Sequence, residues 1–271
     1  MSPLWRDEIH VWLAPQELRL RRMRRGLRPR CMHEASHAIA STQFDWHPVL
    51  AALRARLGEA NWRSANARVT LSNLWARYAI IPWSDALANE HEHLAHARIR
   101  LAEAYGALGV DWRVCLSEGA PGDTRIACAA PERLLSSLQE TLDSQHTRLL
   151  CVQPNLIAAY NRWRHRLTEL TGWLVTIEEG ALAAARLIPG GWDRVYTARI
   201  GADWELELLR LKTFARTAAQ HGDSGRVFVD APARLRKLAG PGDAGIEWLE
   251  SASEAETSSA VALSVDARAQ P

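Results

Sequence analysis

The sequence predicts a mixed α/β fold in which antiparallel strand pairs alternate with helices. Short apolar runs bounded by turn residues are typical of buried strands, and apolar residues at helical spacing recur between them. A strand pair followed by a helix occurs in residues 8–57 and again in residues 173–220, which indicates two related halves. With 47% apolar residues, the 271-residue chain can build a substantial core, either as one large domain or as two lobes.

The central part of the chain shows this pattern most clearly. Residues 148–153 are an apolar run that predicts a buried strand, and the Pro-Asn pair at 154–155 opens a helix, because proline lacks only an N–H that has no partner in the first helical turn. Residues 173–177 predict a second buried strand and residues 181–188 a third. Glu178, Glu179 and Gly180 are the tight turn between these two strands.

The N-terminal region predicts a β-hairpin, with strands at 8–13 and 17–23. Seven arginines fall between Arg19 and Arg30. They are interpreted as the solvated face of an edge strand, where positive charge discourages pairing with another chain, or as a contact for acidic lipid headgroups or an acidic partner segment. Residues 33–44 are polar and are expected to be irregular, and residues 46–57 predict a helix.

The remaining elements follow from the same patterns. Further strands are predicted at 68–72, 75–82, 112–116, 124–129, 192–199, 226–229 and 246–249. The first two of these flank a Ser-Asn turn, and the next two are expected to pair. Further helices are predicted at 85–108, 131–142, 204–220 and 232–238. From residue 251 the chain is rich in Ser, Ala and Glu, which predicts a disordered tail.

Composition excludes several classes of protein. The formal net charge of +2 gives no strong field, which argues against a nucleic-acid partner. The four cysteines lie singly, so buried thiols are predicted and a disulfide framework or zinc site is not. No run approaches the roughly 20 apolar residues of a spanning helix, and the first residues lack a signal-peptide pattern. A cytoplasmic location is therefore expected.

No catalytic residue or metal ligand is predicted. In residues 90–96 the zinc-protease pattern His-Glu-x-x-His fails, because Ala95 stands four residues after His91. Glu92 and His96 share a helix face, but two ligands do not make a metal site, so a solvated helix face is expected. The phosphate-binding pattern GxxxxGK[ST] is missing from the sequence, and no dinucleotide-binding Rossmann unit is predicted.

The turn at Glu178, Glu179 and Gly180 raises the main functional question. A phosphate-binding turn needs small residues, so that backbone N–H groups can approach the anion. Two adjacent carboxylates would repel phosphate unless a metal intervened, and the turn is therefore interpreted as an ordinary hairpin turn.

In their order along the chain, the segments resemble the actin-like proteins of type IV pilus and type II secretion assembly, PilM-like and especially the shorter MshI-like members. The segments that carry the resemblance are 9–23, 68–72, 77–82, 126–135, 150–158 and 173–180. The resemblance implies an RNase H-like, actin-like ATPase fold with two lobes of mixed sheets and flanking helices. The lobes would comprise residues 1–130 and 131–250, followed by the tail at 251–271.

The chain differs from nucleotide-binding members at all three places where such members are expected to contact ATP. Such members have Asp-x-Gly at the first hairpin turn, where this chain has residues 13–16, Leu-Ala-Pro-Gln. The second turn carries Glu178 and Glu179, and residues 229–232, Val-Asp-Ala-Pro, replace the usual glycine pair on the adenosine side. Binding of ATP or Mg²⁺ is therefore not favoured.

The resemblance then implies a non-catalytic scaffold of a pilus or secretion machine. It would lie in the cytoplasm, peripheral to the inner membrane, and would dock a short segment of an inner-membrane assembly protein in a groove between its lobes. The alternative is an active actin-like ATPase that uses Glu178 or Glu179. A third hypothesis is a filament or adaptor protein of another envelope system.

Overall fold

A computed structural model describes residues 6–26, 29–41, 45–106, 111–167, 171–189, 191–201, 203–217, 226–232, 235 and 245–249. Within these residues, three sheets and five α-helices make up the fold. The strands are β1 (Glu8–Ala14), β2 (Glu17–Arg24), β3 (Arg30–Ala38), β4 (Asn66–Leu71), β5 (Arg77–Ile81), β6 (Trp112–Leu116), β7 (Arg125–Pro131), β8 (Arg148–Pro154), β9 (Gly172–Glu178), β10 (Ala181–Ile188), β11 (Gly191–Arg199), β12 (Val227–Asp230) and β13 (Ile246–Trp248). The helices are α1 (His47–Leu57), α2 (Glu90–Tyr105), α3 (Glu132–Asp143), α4 (Asn155–Leu167) and α5 (Trp204–Thr217).

The first and second sheets have the same topology. The first has the order β3-β2-β1-β4-β8, and the second has the order β11-β10-β9-β12-β13. In each, an antiparallel three-stranded meander is followed by one helix, α1 or α5, and then by a strand parallel to the first strand of the meander. The two related halves indicated by the sequence are thus confirmed at the level of topology.

The third sheet, β5-β7-β6, lies in sequence between β4 and α3 and is antiparallel throughout. Helix α2 packs on it through Ala97 and Leu101. In chain order it is an insertion into the first half.

Apolar faces of the helices determine how the sheets are covered. Leucines of α1 and α3 pack against the apolar residues of β1, β2 and β4 in one core. Helix α4 shares one core with residues of β9 and β10 and with residues of β5 and β7. This core joins the second sheet to the third. Helix α5 packs in a separate core with β9, β10 and β12. Burial of these faces supplies most of the stability of such helices.

Several predicted elements are confirmed. The hairpin of β1 and β2, the pair β6 and β7, and the strand–helix–strand–turn–strand order from β8 to β10 all form as expected. The short edge strand β13 is also present. The predicted tail at 251–271 and most of the helix predicted at 232–238 lie outside the described residues.

The expectation that residues 33–44 are irregular is wrong for residues 33–38, whereas residues 42–44 lie outside the described part of the chain. Strand β3 runs to Ala38 and pairs with β2 along its whole length, so β2 is not an edge strand. Nearly all residues of β3 are exposed. An exposed edge strand needs no alternation of apolar and polar residues. The sequence pattern on which strand prediction depends is therefore missing.

The strands predicted on either side of the Ser-Asn turn do not pair. Strand β4 is parallel to β1 and β8 in the first sheet, whereas β5 pairs with β7 in the third. Residues 72–76 therefore cross between sheets, with a short 3₁₀ turn at Asn73–Trp75. Helix α2 begins at Glu90 and not at residue 85, because Asn89 caps it.

The predicted lobe boundary after residue 130 divides the first sheet. Helix α3 packs in the core of the first sheet, and β8 pairs with β4 of that sheet. Both elements were assigned to the second lobe. After the inserted third sheet, the chain returns to the first sheet. A boundary placed by the order of elements along the chain does not take this return into account. We propose that the second lobe begins after β8.

Candidate functional site

The tight turn between β9 and β10 is formed by Glu179 and Gly180, two of the three residues predicted for it, whereas Glu178 belongs to β9. Gly180 has a φ of 85°, a conformation that glycine adopts without steric cost. Glu178 precedes the turn as the last residue of β9 and is buried, with 3% of its surface exposed, whereas Glu179 is exposed. The two carboxylates therefore lie in different environments, which the sequence did not indicate.

Glu178 connects the second sheet to the end of β4 and to the start of α4. Its Oε1 accepts hydrogen bonds from Ser72 Oγ at 2.8 Å and from the backbone N–H of Asn73 at 2.5 Å. Its Oε2 accepts from Asn155 Nδ2 at 3.1 Å. Both carboxylate oxygens are thus bound by protein donors.

Asn73 extends this set of hydrogen bonds. Its Nδ2 donates to Thr176 Oγ1 at 3.0 Å. Its Oδ1 accepts from the hydroxyl of Tyr78 at 2.5 Å and from the backbone N–H of Leu156 at 3.1 Å. We call Ser72, Asn73, Tyr78, Asn155, Thr176 and Glu178 the junction network. It joins elements of all three sheets, and hydrogen-bonded polar groups of this kind fix one arrangement of a core.

Burial dominates the electrostatics of the network. It raises the pKa of Glu178 from 4.5 to about 7, although hydrogen bonds from Ser72, Asn73 and Asn155 act in the opposite direction. Burial also raises the pKa of Tyr78 well above 10, so this hydroxyl stays protonated at neutral pH. Glu178 can therefore exchange its proton near neutral pH.

A groove opens beside residues 74–77, between the third sheet and the first residues of α1 and α3. Its volume is about 290 Å³. Its lining combines three tryptophans with apolar and charged residues: Trp46, Leu74, Trp75, Arg77, Asp111, Trp112, Pro131 and Arg133. We call it the aromatic groove. The resemblance implied a groove between the lobes, and this one lies elsewhere.

Charged groups and indole donors give the groove its polar character. The Arg77 guanidinium lies 5.6 Å from the ring centroid of Trp112, and Arg133 lies 3.8 Å from Asp111. The indole N–H groups of Trp46 and Trp75 are buried and have no hydrogen-bond partner among the residues that the structure describes. The same is true of the indole N–H groups of Trp12, Trp163 and Trp173, which do not line the groove.

The sequence matches no protein-family model and no curated protein. Its structure resembles that of a PilM–PilN type IV pilus biogenesis complex, with a TM-score of 0.65, 14% identity and coverage of 86% of this chain and 83% of the other. The cytoplasmic domain of EpsL, an inner-membrane component of the type II secretion system of Vibrio cholerae, gives a TM-score of 0.53 at 12% identity, with coverage of 83% and 82%.

A Bacteroides thetaiotaomicron protein with an actin-like ATPase fold also gives a TM-score of 0.53, at 10% identity and with coverage of 88% of both chains. The chain has an actin-like fold. The resemblance to actin-like pilus and secretion proteins is confirmed at the level of the fold. No helix among the described residues of this actin-like chain is long and apolar enough to cross a membrane.

The remaining candidates in the actin-like chain have structural roles. Glu90 pairs with Arg125 through both carboxylate oxygens, at 2.9 and 2.7 Å. His93 is buried against Trp83, so the expectation of a wholly solvated helix face is wrong at that position. No group of three or more possible metal ligands occurs in the part of the chain that the structure describes.

Four of the seven arginines between Arg19 and Arg30 pair with nearby carboxylates within the described ranges, the first of them Arg19 with Glu17 at 3.3 Å. Arg21 pairs with Glu34 at 2.8 Å, Arg22 with Asp7 at 2.8 Å, and Arg25 with Glu8 at 3.0 Å. Much of the positive charge is therefore balanced locally. The pKa of Glu8 is lowered to about 2, because His10, Arg68 and Arg25 outweigh its burial.

The cysteines follow the prediction in part. Cys128 and Cys151 are buried thiols, as expected, and burial raises the pKa of both. Cys31 on β3 is exposed, which was not expected.

Sequence reasoning identified the turn at 178–180 but missed its partners. Ser72 and Asn73 were interpreted as a turn between paired strands, and Tyr78 as an ordinary strand residue. These residues precede Glu178 by about 100 positions, and no local pattern links them to it. Only the topology brings them together.

Proposed function

We propose that this chain is a non-catalytic, actin-like cytoplasmic scaffold of a pilus or secretion assembly machine. It docks a short segment of an inner-membrane partner in the aromatic groove. The fold shared with a PilM–PilN complex and with an inner-membrane secretion component supports the setting. Docking is assigned to the aromatic groove and not to the cleft between the lobes, because the junction network joins the lobes through protein hydrogen bonds.

The single observation that carries the proposal is the composition of the groove. Three tryptophan side chains form its walls, and two arginines and an aspartate add charge. Concave sites with aromatic walls and a few polar groups are typical of peptide recognition, and aromatic and arginine residues dominate binding energy at interfaces. The occupant we propose is an extended segment with apolar side chains and an acidic group.

The state of Glu178 supports a non-catalytic function. Its oxygens accept hydrogen bonds from Ser72, Asn73 and Asn155, so they are engaged where an ATPase would hold Mg²⁺ or position water. The first hairpin turn, Pro15 and Gln16, offers no carboxylate of its own.

An active ATPase is the second candidate. The observation in its favour is the pKa of Glu178, which at about 7 suits a general base. Titration of the full chain with Mg-ATP in a calorimeter separates the two hypotheses. We expect no saturable heat, and binding near one equivalent would contradict the expectation that the chain holds no nucleotide. If phosphate release is also seen and falls in Glu178→Gln or Glu179→Ala, the ATPase is correct.

Docking is tested with a peptide array of the cytoplasmic segments of single-span inner-membrane proteins from the same organism. We expect at least one segment to bind the full chain. Arg133→Glu and Trp112→Ala should each weaken that binding by about tenfold or more, as loss of an interface anchor does. Arg133 is 80% exposed, so its substitution should not disturb folding.

The control is Arg210→Glu on α5, which reverses the charge of an exposed arginine that does not line the groove. Its affinity should equal that of the wild type. If no segment binds more tightly than about 1 mM, or if both groove variants bind as well as the wild type, docking in this groove is contradicted.

A further inference from the structure

One short segment, residues 72–78, borders both the junction network and the aromatic groove. Its side chains fall into two groups, according to whether they contact the network or the groove. Those in the network are Ser72, Asn73 and Tyr78, and those that line the groove are Leu74, Trp75 and Arg77. A displacement of this segment would therefore change both sites together.

On the network side, Glu178 holds the turn that carries the groove residues. Its carboxylate accepts from the N–H of Asn73 and from the hydroxyl of Ser72. The Ser72 oxygen in turn accepts from the N–H of Leu74 at 3.1 Å, which caps the 3₁₀ turn. The position of Leu74 thus depends on a chain of hydrogen bonds that ends at the Glu178 carboxylate.

On the groove side, Arg77 holds the same turn. Its guanidinium donates to the carbonyls of Leu74 at 3.4 Å and Ala76 at 2.8 Å. It also lies over the rings of Tyr105 and Trp112, each 5.6 Å from the ring centroid. A carboxylate on one side and a guanidinium on the other therefore fix one arrangement of these residues.

We propose that occupation of the groove and closure of the junction network are coupled through residues 72–78. A docked segment and an ionised, fully hydrogen-bonded Glu178 favour each other. The occupant packs on Leu74 and Trp75 in the arrangement that the carboxylate holds, and such a coupling is reciprocal by thermodynamic necessity. The inference rests on the proposed function for the nature of the occupant, but the coupling itself is testable without one.

Protonation of Glu178 opposes this arrangement. A carboxylate only accepts hydrogen bonds, whereas a protonated carboxyl group presents one O–H to its surroundings. Those surroundings are the donors of Ser72, Asn73 and Asn155, so protonation breaks or reverses at least one of the three bonds. Because burial raises the pKa of Glu178 to about 7, the change falls near neutral pH.

Neighbouring titratable groups do not compete for this role. Tyr78 and Cys128 lie in the same core, and burial raises the pKa of each well above its ordinary value, so both stay neutral. Asp230, opposite Thr176 on β12, is paired with Arg162 of α4 at 3.2 Å. Glu179 follows in the exposed turn. The buried group that changes charge in this region is therefore Glu178.

The coupling is tested by NMR on the full chain without any ligand. The indole N–H signals of the groove tryptophans Trp75 and Trp112 are followed from pH 5.5 to 8.5, beside the Glu178 carboxyl carbon. Trp46 is left out, because the His47 ring stacks on it. We expect the groove signals to shift with the same midpoint as the carboxyl, near pH 7, and to become independent of pH in Glu178→Gln. The ring pair Trp204 and Trp248, in the core of α5, serves as the internal control.

A second variant keeps the test valid if Glu178→Gln folds poorly. Ser72→Ala removes one donor to the carboxylate, which should raise the Glu178 midpoint and move the groove midpoint with it. If the carboxyl midpoint moves while the groove signals do not follow, the coupling is refuted. The same holds if the groove signals keep their pH dependence in Glu178→Gln.

A binding measurement separates this inference from the proposed function. For the array segment that binds best, affinity at pH 8 should exceed affinity at pH 6 by about tenfold, because the competent fraction falls to about a tenth one unit below the pKa. Glu178→Gln should abolish that difference. Equal affinity at both pH values would refute the coupling and leave docking intact. If no segment binds, docking fails and the NMR result alone decides the coupling.

Discussion

Glu178 links the protonation of one side chain to the stability of the whole chain. Its pKa in the folded protein is about 7, whereas its ordinary value is 4.5, so the folded state binds more protons between these values. By linkage, stability falls as pH rises through this window and levels off above it. A shift of this size corresponds to about 3 kcal/mol at most.

Replacement of Glu178 by glutamine should remove this dependence. The wild-type free energy of unfolding should fall between about pH 5 and pH 7.5, relative to Glu178→Gln, because the variant carries no buried charge. Urea denaturation across this range is the measurement. Glu179→Gln, at the exposed neighbour, is the control and should keep the wild-type slope. If the free energy of unfolding depended on pH in the same way in the wild type and in Glu178→Gln, Glu178 would have its ordinary pKa in the folded protein.

At the scale of the element, the start of α2 depends on reciprocal capping. The Asn89 side chain accepts from the N–H of Glu92 at 3.0 Å, and Glu92 accepts from the N–H of Ala88 at 2.7 Å. These contacts explain why the helix starts at Glu90, five residues later than the apolar pattern suggested.

Asn89→Ala should destabilise the protein by about 1 kcal/mol, the usual cost of a lost N-cap. Chemical denaturation measures the difference, and Asn89→Asp, which keeps an acceptor at the cap, should stay within about 0.5 kcal/mol of the wild type. A loss of equal size in both variants would indicate that the side chain acts in another way.

The start of β11 shows a close approach between the second and third sheets. Gly191 forms a bridge with Thr124, and a Cβ added at this glycine would lie 2.5 Å from the Thr124 carbonyl oxygen. A real side chain cannot occupy that position without a shift of the backbone.

Gly191→Ala should therefore lower stability by about 2 kcal/mol, since overpacking against backbone cannot relax easily. The thermal unfolding midpoint measures the effect. Gly26→Ala is the matched control, because no atom lies within 4 Å of the added Cβ there, and it should leave the midpoint nearly unchanged. An unchanged midpoint in Gly191→Ala would show that the two sheets do not meet at this residue.

Elements with strong apolar patterns were predictable, and those with polar sequences were not. Leu134, Leu138 and Leu142 mark α3 by spacing alone. Strand β3 has no such pattern, because pairing with β2 and not burial holds it in place. The groove was not predictable either, because Trp46, Trp75 and Trp112 are brought together by three separate elements.

At the scale of the whole molecule, Asn73 holds the halves together. It contacts Thr176 of the second half, Tyr78 of the third sheet and Leu156 at the start of α4. The two related halves were predictable from their repeated strand–helix pattern, but this contact between them was not. The residues involved are polar and lie about 100 positions apart.

Asn73→Ala should cost about 3 kcal/mol, because it leaves at least two buried donors without partners. Hydrogen exchange should accelerate together at the ends of β4 and β9 and at the start of α4, where the lost contacts lie. Tyr78→Phe, which removes a single hydroxyl, should cost about 1 kcal/mol and is the milder companion variant. Faster exchange limited to residues near Asn73 itself would contradict a joint between the halves.

A duplicated architecture tends to present each of its surfaces twice. The three-stranded sheet interrupts only the first repeat, so the aromatic wall that it builds with Trp112 has no counterpart beyond β12 in the described chain. The two halves therefore differ at the aromatic groove, the surface to which docking is assigned. On the proposed function, each molecule should accordingly saturate at a single equivalent of the docked segment.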